Sequence, residues 1–189
     1  YFSYSYEKKD FSEAVRDVTR NVVVAGLRGD LTAKLSSSFR IGYENRESDR
    51  NDVKGHHGFI LGGDWNFKAT ERTAIALITD RSVQESVFGN ALFFISSIGT
   101  VRVDHQFVPK LSANVRLTGG TNAYPTKVEV EGQTKFRSDN LWGWGAGVDY
   151  TIQPWLRAGV EYSHTRRTSN FNQFNFADDK FSGRITLQF

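Results

Sequence analysis

The feature that most constrains this chain is an alternation of period two, sustained well past the length of an ordinary strand. Between Phe93 and Phe107, the residues Phe93, Ile95, Ser97, Gly99, Val101, Val103, His105 and Phe107 share one side of an extended backbone. Phe94, Ser96, Ile98, Thr100, Arg102, Asp104 and Gln106 share the other. Successive side chains of a strand point to opposite faces. The stretch therefore builds one face of apolar and small residues and one of mostly polar and charged residues. A strand in a soluble domain averages about five or six residues, whereas a tilted membrane-crossing strand needs about nine to eleven. This segment is long enough to cross a bilayer and project beyond it.

The pattern recurs along the chain. Leu35, Phe39, Ile41 and Tyr43 alternate with polar neighbours, as do Leu111, Ala113, Val115 and Leu117, and then Phe181, Ile185, Leu187 and Phe189. An internal repeat accompanies it. Val103 to Ala113 (VDHQFVPKLSA) resembles Val148 to Ala158 (VDYTIQPWLRA), with looser copies at Gly63 to Ile75 and Gly29 to Leu35. Each copy reads as strand, tight turn, strand, with Pro109 and Pro154 at turn positions that need no ladder hydrogen bond. Longer polar connections separate the copies, at Asn45 to His56, Asp80 to Asn90, Tyr124 to Asn140 and Thr165 to Asp179. Ten strands are expected, at about 1–7, 20–29, 33–45, 57–67, 73–84, 92–107, 111–123, 140–151, 155–166 and 176–189. Short turns alternating with long loops are the arrangement of outer-membrane barrels, and an even count puts both ends on the turn side.

Alternation alone does not say which face looks outward, because a soluble lipocalin-like barrel alternates too. Three features decide for the membrane. The polar face carries charge of both signs: Lys34, Arg40, Glu44, Asp64, Arg102, Asp104, Arg116, Asp149, Arg157, Glu161 and Arg184 are expected to line a lumen. The apolar face has almost none in mid-strand. Aromatics on that face sort to strand ends, with Trp65, Phe67, Phe107, Tyr150 and Phe189 toward the turns and Tyr43, Phe59, Phe93, Trp142 and Tyr162 toward the loops. Two aromatic belts around an aliphatic band suit a bilayer. Finally, Phe189 ends an alternating run, which resembles the C-terminal signature by which bacterial outer-membrane proteins are read by the barrel assembly machinery. The expected fold is thus all-β, an antiparallel up-and-down transmembrane β-barrel with about ten strands, placed in the bacterial outer membrane with its lipid as solvent. Residues 1–189 form a single barrel or the C-terminal part of a larger one. The abrupt short strand at Tyr1 to Tyr6 reads as a clipped first strand or as one preceded by further strands, the second being slightly favoured.

Chemistry is sparse. With no Cys, thiolate metal sites and cysteine nucleophiles are excluded. The formal net charge of +3, with both signs interleaved, gives no nucleic-acid footprint. His56 and His57 could hold a metal only with help from Asp49 and Asp52, and solvated loop histidines are the expectation. His105 and His164 fall on the lipid face, where interfacial hydrogen bonding is expected. Ser163 and His164 are adjacent, so in a strand they point apart and cannot pair as nucleophile and base. No catalytic residue, metal or cofactor is expected. Asp64, Asp104 and Asp149 recur at equivalent places, with Arg102, Arg157 and Arg184 at similar depth. They read as a charged constriction or as a lattice of ion pairs that fills a narrow barrel. Pairing Phe107 with Leu111 sets Arg102 opposite Arg116, and by the same logic Gly26 faces Arg40 and Gly147 faces Glu161.

The stretch from Gly147 to Phe189 resembles the putative β-barrel porins associated with polysaccharide export. It has an aspartate–aromatic strand end at Asp149-Tyr150, a turn at Pro154, then Gly159-Val160-Glu161-Tyr162-Ser163 with Arg166-Arg167, then a closing strand. The resemblance implies a porin-like, non-enzymatic conduit for polar solutes or exported polysaccharide. The alternative is a structural or anchoring barrel in a larger cell-surface assembly, with other envelope proteins as partners.

Overall fold

The computed structural model describes residues 1–9, 18–48, 55–86 and 91–188. Among them, ten strands form one antiparallel sheet in strict sequence order. They are β1 (Phe2–Lys9), β2 (Val18–Thr32), β3 (Leu35–Ser48), β4 (His56–Lys68), β5 (Thr73–Glu85), β6 (Phe93–Val108), β7 (Leu111–Val130), β8 (Gln133–Gln153), β9 (Leu156–Ser169) and β10 (Phe176–Leu187). No described ladder joins β1 to β10. Phe189 lies outside the described residues, as do Asp49 and Asp52.

The internal repeat is a repeated piece of backbone. At three turns one extra residue is inserted just before the turn, between Asp30 and Thr32, between Gln106 and Val108, and between Thr151 and Gln153. Leu31, Phe107 and Ile152 are those residues, and all three are exposed. A bulge bends its strand and re-aims a side chain, so each copy presents an apolar residue at the turn-side rim. The expected Phe107–Leu111 pair is displaced by this bulge, and Val108 pairs with Leu111 instead. The register further along is unaffected: Arg102 faces Arg116, Gly26 faces Arg40 and Gly147 faces Glu161.

One connection differs from expectation. Tyr124 to Asn140 is not a loop, because β7 and β8 continue through it as a ladder up to Val130–Gln133. The turn beyond is made by Glu131 and Gly132, both at positive φ (49° and 76°), the conformation that two-residue hairpins require and glycine supplies. Charged residues at alternate positions disguised a strand whose other face carries Val128 and Val130. Between Ala123 and Lys127 the ladder is interrupted. Pro125, which has no N–H to donate, sits in the interruption. Smaller extensions occur in β3 and β9, which run to Ser48 and Ser169.

The two faces differ as a membrane wall should. One cross-strand row reads Phe67, Ile75, Val103, Val115, Ala146, Tyr162, Phe181. Large apolar residues on this side are widely exposed, with Leu27 at 77%, Ile185 at 74% and Leu117 at 60%. An apolar surface of this extent is not compatible with water. Closer to the loops the same side turns polar in the row Arg81, Ser97, Thr121, Asn140, Thr168, where Arg81 donates to Ser97 Oγ at 2.8 Å. The buried apolar residues gather instead at the loop-side end. Ala91, Tyr124, Val128, Val130 and Phe171 form one cluster.

Candidate functional site

The face opposite the apolar row carries the charged residues, and its geometry depends on glycine. A strand lies about 4.8 Å from its neighbour, so side chains two strands apart meet only if the strand between them presents nothing. Three ion pairs use that device. Arg40 on β3 reaches Asp80 on β5 across Gly62. Arg116 on β7 reaches Glu161 on β9 at 2.5 Å, passing β8 at Gly145 and Gly147. Arg184 on β10 reaches Asp149 on β8 at 2.9 Å across Gly159. A Cβ at Gly62 would stand 2.5 Å from Arg40 Nε, and one at Gly145 would stand 3.1 Å from Arg116 Nε. These glycines are open lanes for side chains of neighbouring strands.

The other expected lumen residues fall as follows. Arg102 pairs along its own strand with Asp104 at 2.6 Å, which relieves its position directly opposite Arg116. Asp64 is exposed on β4 and Arg157 exposed on β9, on the same face. Lys34 is exposed in the β2–β3 turn rather than in a strand. A hollow of about 480 Å³ opens on this face near the turns, lined by Asp30, Ser36, Ser38, Arg40, Asp64 and Asn66 among others.

Glu44 is different in kind. It is fully buried, and its two oxygens accept from Arg20 Nη2 at 2.9 Å and from Arg46 Nε at 3.2 Å. Burying a carboxylate is costly unless it is paired and hydrogen-bonded, and two guanidiniums supply this. A second buried pair was not expected from the sequence. Arg137 places Nε and Nη2 on the two oxygens of Asp139 at 2.9 and 2.7 Å. The same guanidinium lies 4.5 Å from the Tyr124 ring centroid and 3.7 Å from that of Phe174. Burial beside this cluster raises the Tyr124 hydroxyl pKa above its usual value. The sequence signal was Arg137-Ser138-Asp139 with period-two spacing, lost in what read as a polar loop.

The histidines hold no metal-like cluster among the described residues. His56 stacks obliquely on Phe93, ring centroids 5.2 Å apart. His105 Nδ1 shares a 2.9 Å hydrogen bond with Thr73 Oγ1. His164 Nδ1 lies 2.8 Å from Asp179 Oδ1, which also accepts from the Tyr162 hydroxyl at 2.5 Å. Phe93 itself corrects an expectation. The alternation puts it in the loop-side aromatic belt, yet it is only 5% exposed and packs beside His56 and Arg46.

No curated protein matches this chain. A family model does, over residues 1–189, and its description is "Putative beta-barrel porin 2". An all-β, up-and-down sheet with one apolar and one charged face is what such a barrel requires, and the chain belongs to this family of β-barrel porins.

Proposed function

We propose that this protein is a porin-like barrel of the bacterial outer membrane, giving a passive conduit to polar solutes or exported polysaccharide. The observation that carries the reading is the sorting of the two faces. Ion pairs of both signs, hydroxyls and amides occupy one face, and an exposed apolar surface the other. The charges largely neutralise each other in pairs, so the lumen holds fixed dipoles and hydrogen-bonding groups rather than one dominant sign. Such a wall suits hydrated, polyhydroxylated solutes better than it suits selection of one ion. The residues assigned to it are Arg40, Asp64, Arg102, Asp104, Arg116, Asp149, Arg157, Glu161 and Arg184, with Lys34 at the turn-side rim and Glu44 buried beneath the surface of the wall. Porin function involves no catalytic step, and none is assigned.

A second reading is favoured by the buried loop-side clusters. A barrel whose mouth is filled and whose strands project beyond the bilayer could anchor a surface assembly of other envelope proteins. Planar-bilayer recording of the purified barrel separates the two. The conduit reading expects discrete, reproducible conductance steps with weak cation–anion selectivity. A folded barrel that stays silent at every voltage contradicts it and favours the anchor.

A further inference from the structure

We propose that the loop-side ends of β5 and β6 turn inward as a pair and form the constriction that sets what this conduit passes. The inference rests on the conduit reading for its consequence, though not for its geometry. The β4–β5 ladder stops at Leu61–Arg81. β5 nevertheless continues to Glu85, and β4 extends the other way to His56, pairing there only with β3. β5 and β6 stay together past that point, through Glu85–Phe93, and Ser86 N–H donates to the Leu92 carbonyl at 2.9 Å. The pair therefore parts from β4 as a unit.

Its contacts show where it goes. Glu85 Oε1 lies 2.5 Å from Lys9 Nζ. β1 and β5 are four strand steps apart, about 19 Å along a flat sheet, so this ion pair closes across the face instead of along it. The Phe93 ring sits 5.2 Å from the His56 ring and 5.9 Å from the Arg46 guanidinium. Arg46 and His56 belong to the charged face of β3 and β4, facing each other in register with Arg20. On the opposite flank Phe94 stacks on Tyr124 of β7 at 5.2 Å, and Ala91 is buried in the Tyr124–Val128–Phe171 cluster. The β5–β6 ends thus touch both halves of the charged face.

This placement accounts for an anomaly in the pattern. Val22 and Ile60 are apolar residues on the face that should meet water, yet both are buried, as are Glu44 and Arg46 beside them. Residues under an open, hydrated mouth would not be. Val83 and Phe93, on the β5–β6 ends, are buried as well.

The test uses a chain with no native cysteine. Ile60→Cys is introduced, the barrel is reconstituted in vesicles, and the rate of reaction with a membrane-impermeant maleimide is measured. Slow labelling is expected in this background. Labelling about tenfold faster is expected when Phe93→Ala is added, because the cover then opens locally. Phe93→Tyr, which keeps a ring in place, should stay slow. Glu85→Gln leaves the apolar packing intact and should accelerate labelling less, in the same direction, so the test survives if Phe93→Ala does not fold. Fast labelling in the Ile60→Cys background, or equal rates in all variants, overturns the constriction. Conductance is recorded in parallel. Larger steps in Phe93→Ala support both readings. Accelerated labelling with silence in every variant supports the constriction and overturns the conduit.

Discussion

Glu44 shows how far a single residue's role can depend on what the rest of the chain lays over it. Its alternation with Tyr43 and Asn45 placed it on the polar face, and that was legible. Its complete burial was not, because it depends on contacts from other strands, such as Arg20 of β2 on Glu44 and Phe93 of β6 beside Arg46. Removing one partner of a buried charged group costs about 3–5 kcal/mol, whereas exposed pairs are worth about 0–1 kcal/mol. Glu44→Ala is therefore expected to lower unfolding stability in detergent by several kcal/mol, leaving Arg20 and Arg46 without their shared acceptor. Arg102→Ala, which breaks the exposed pair with Asp104, should shift the denaturant midpoint hardly at all. Equal effects of the two would contradict the distinction. The glycines make a second residue-scale case. In sequence Gly145 merely follows Trp144, but the lane it opens needs the register of three strands at once. Gly145→Val should displace Arg116 from Glu161 and cost about 1–3 kcal/mol, measured by the same unfolding experiment. Gly119→Val on the neighbouring strand, where a Cβ meets nothing within 4 Å, should be tolerated.

The elements were legible where one apolar face ran the length of a strand, as in β6, β7 below Ala123, and β9. They were not legible where pairing continued beyond the apolar band. The extension of β7 and β8 is stabilised by its own loop-side core, to which Val128 and Phe171 contribute from separate elements. Only the turn signal at Glu131-Gly132 and the spacing of Val128 and Val130 were local clues. If this core holds the extension in place, Phe171→Ala should cost about 3–5 kcal/mol, as large-to-small changes in cores do. It should also speed amide exchange between Tyr124 and Arg137 while leaving Leu111 to Leu117 protected. Uniform exchange changes across β7 would mean that the extension is not a separate cooperative unit.

At the scale of the whole molecule, the bilayer sets the terms. Every backbone group within hydrocarbon needs a partner inside the protein. Nine ladders supply these for the interior strands. The outer edges of β1 and β10 must be satisfied as well, by each other or by further strands, for the barrel to close. The fold class was legible because two-residue periodicity and the turn–loop asymmetry are properties of the entire chain. The narrowing of the mouth was not, since it arises from contacts between β1 and β5 and between β3 and β6. The central claim is the direction in which the two faces look. Spin labels placed singly at Leu117 and Arg116 in the reconstituted barrel, with collision rates measured for oxygen and for a water-soluble nickel chelate, test it most directly. The account predicts that the label at 117 meets oxygen and escapes the chelate, while the label at 116 does the reverse. The opposite pattern would mean that the charged face looks outward and that this chain is not a membrane barrel.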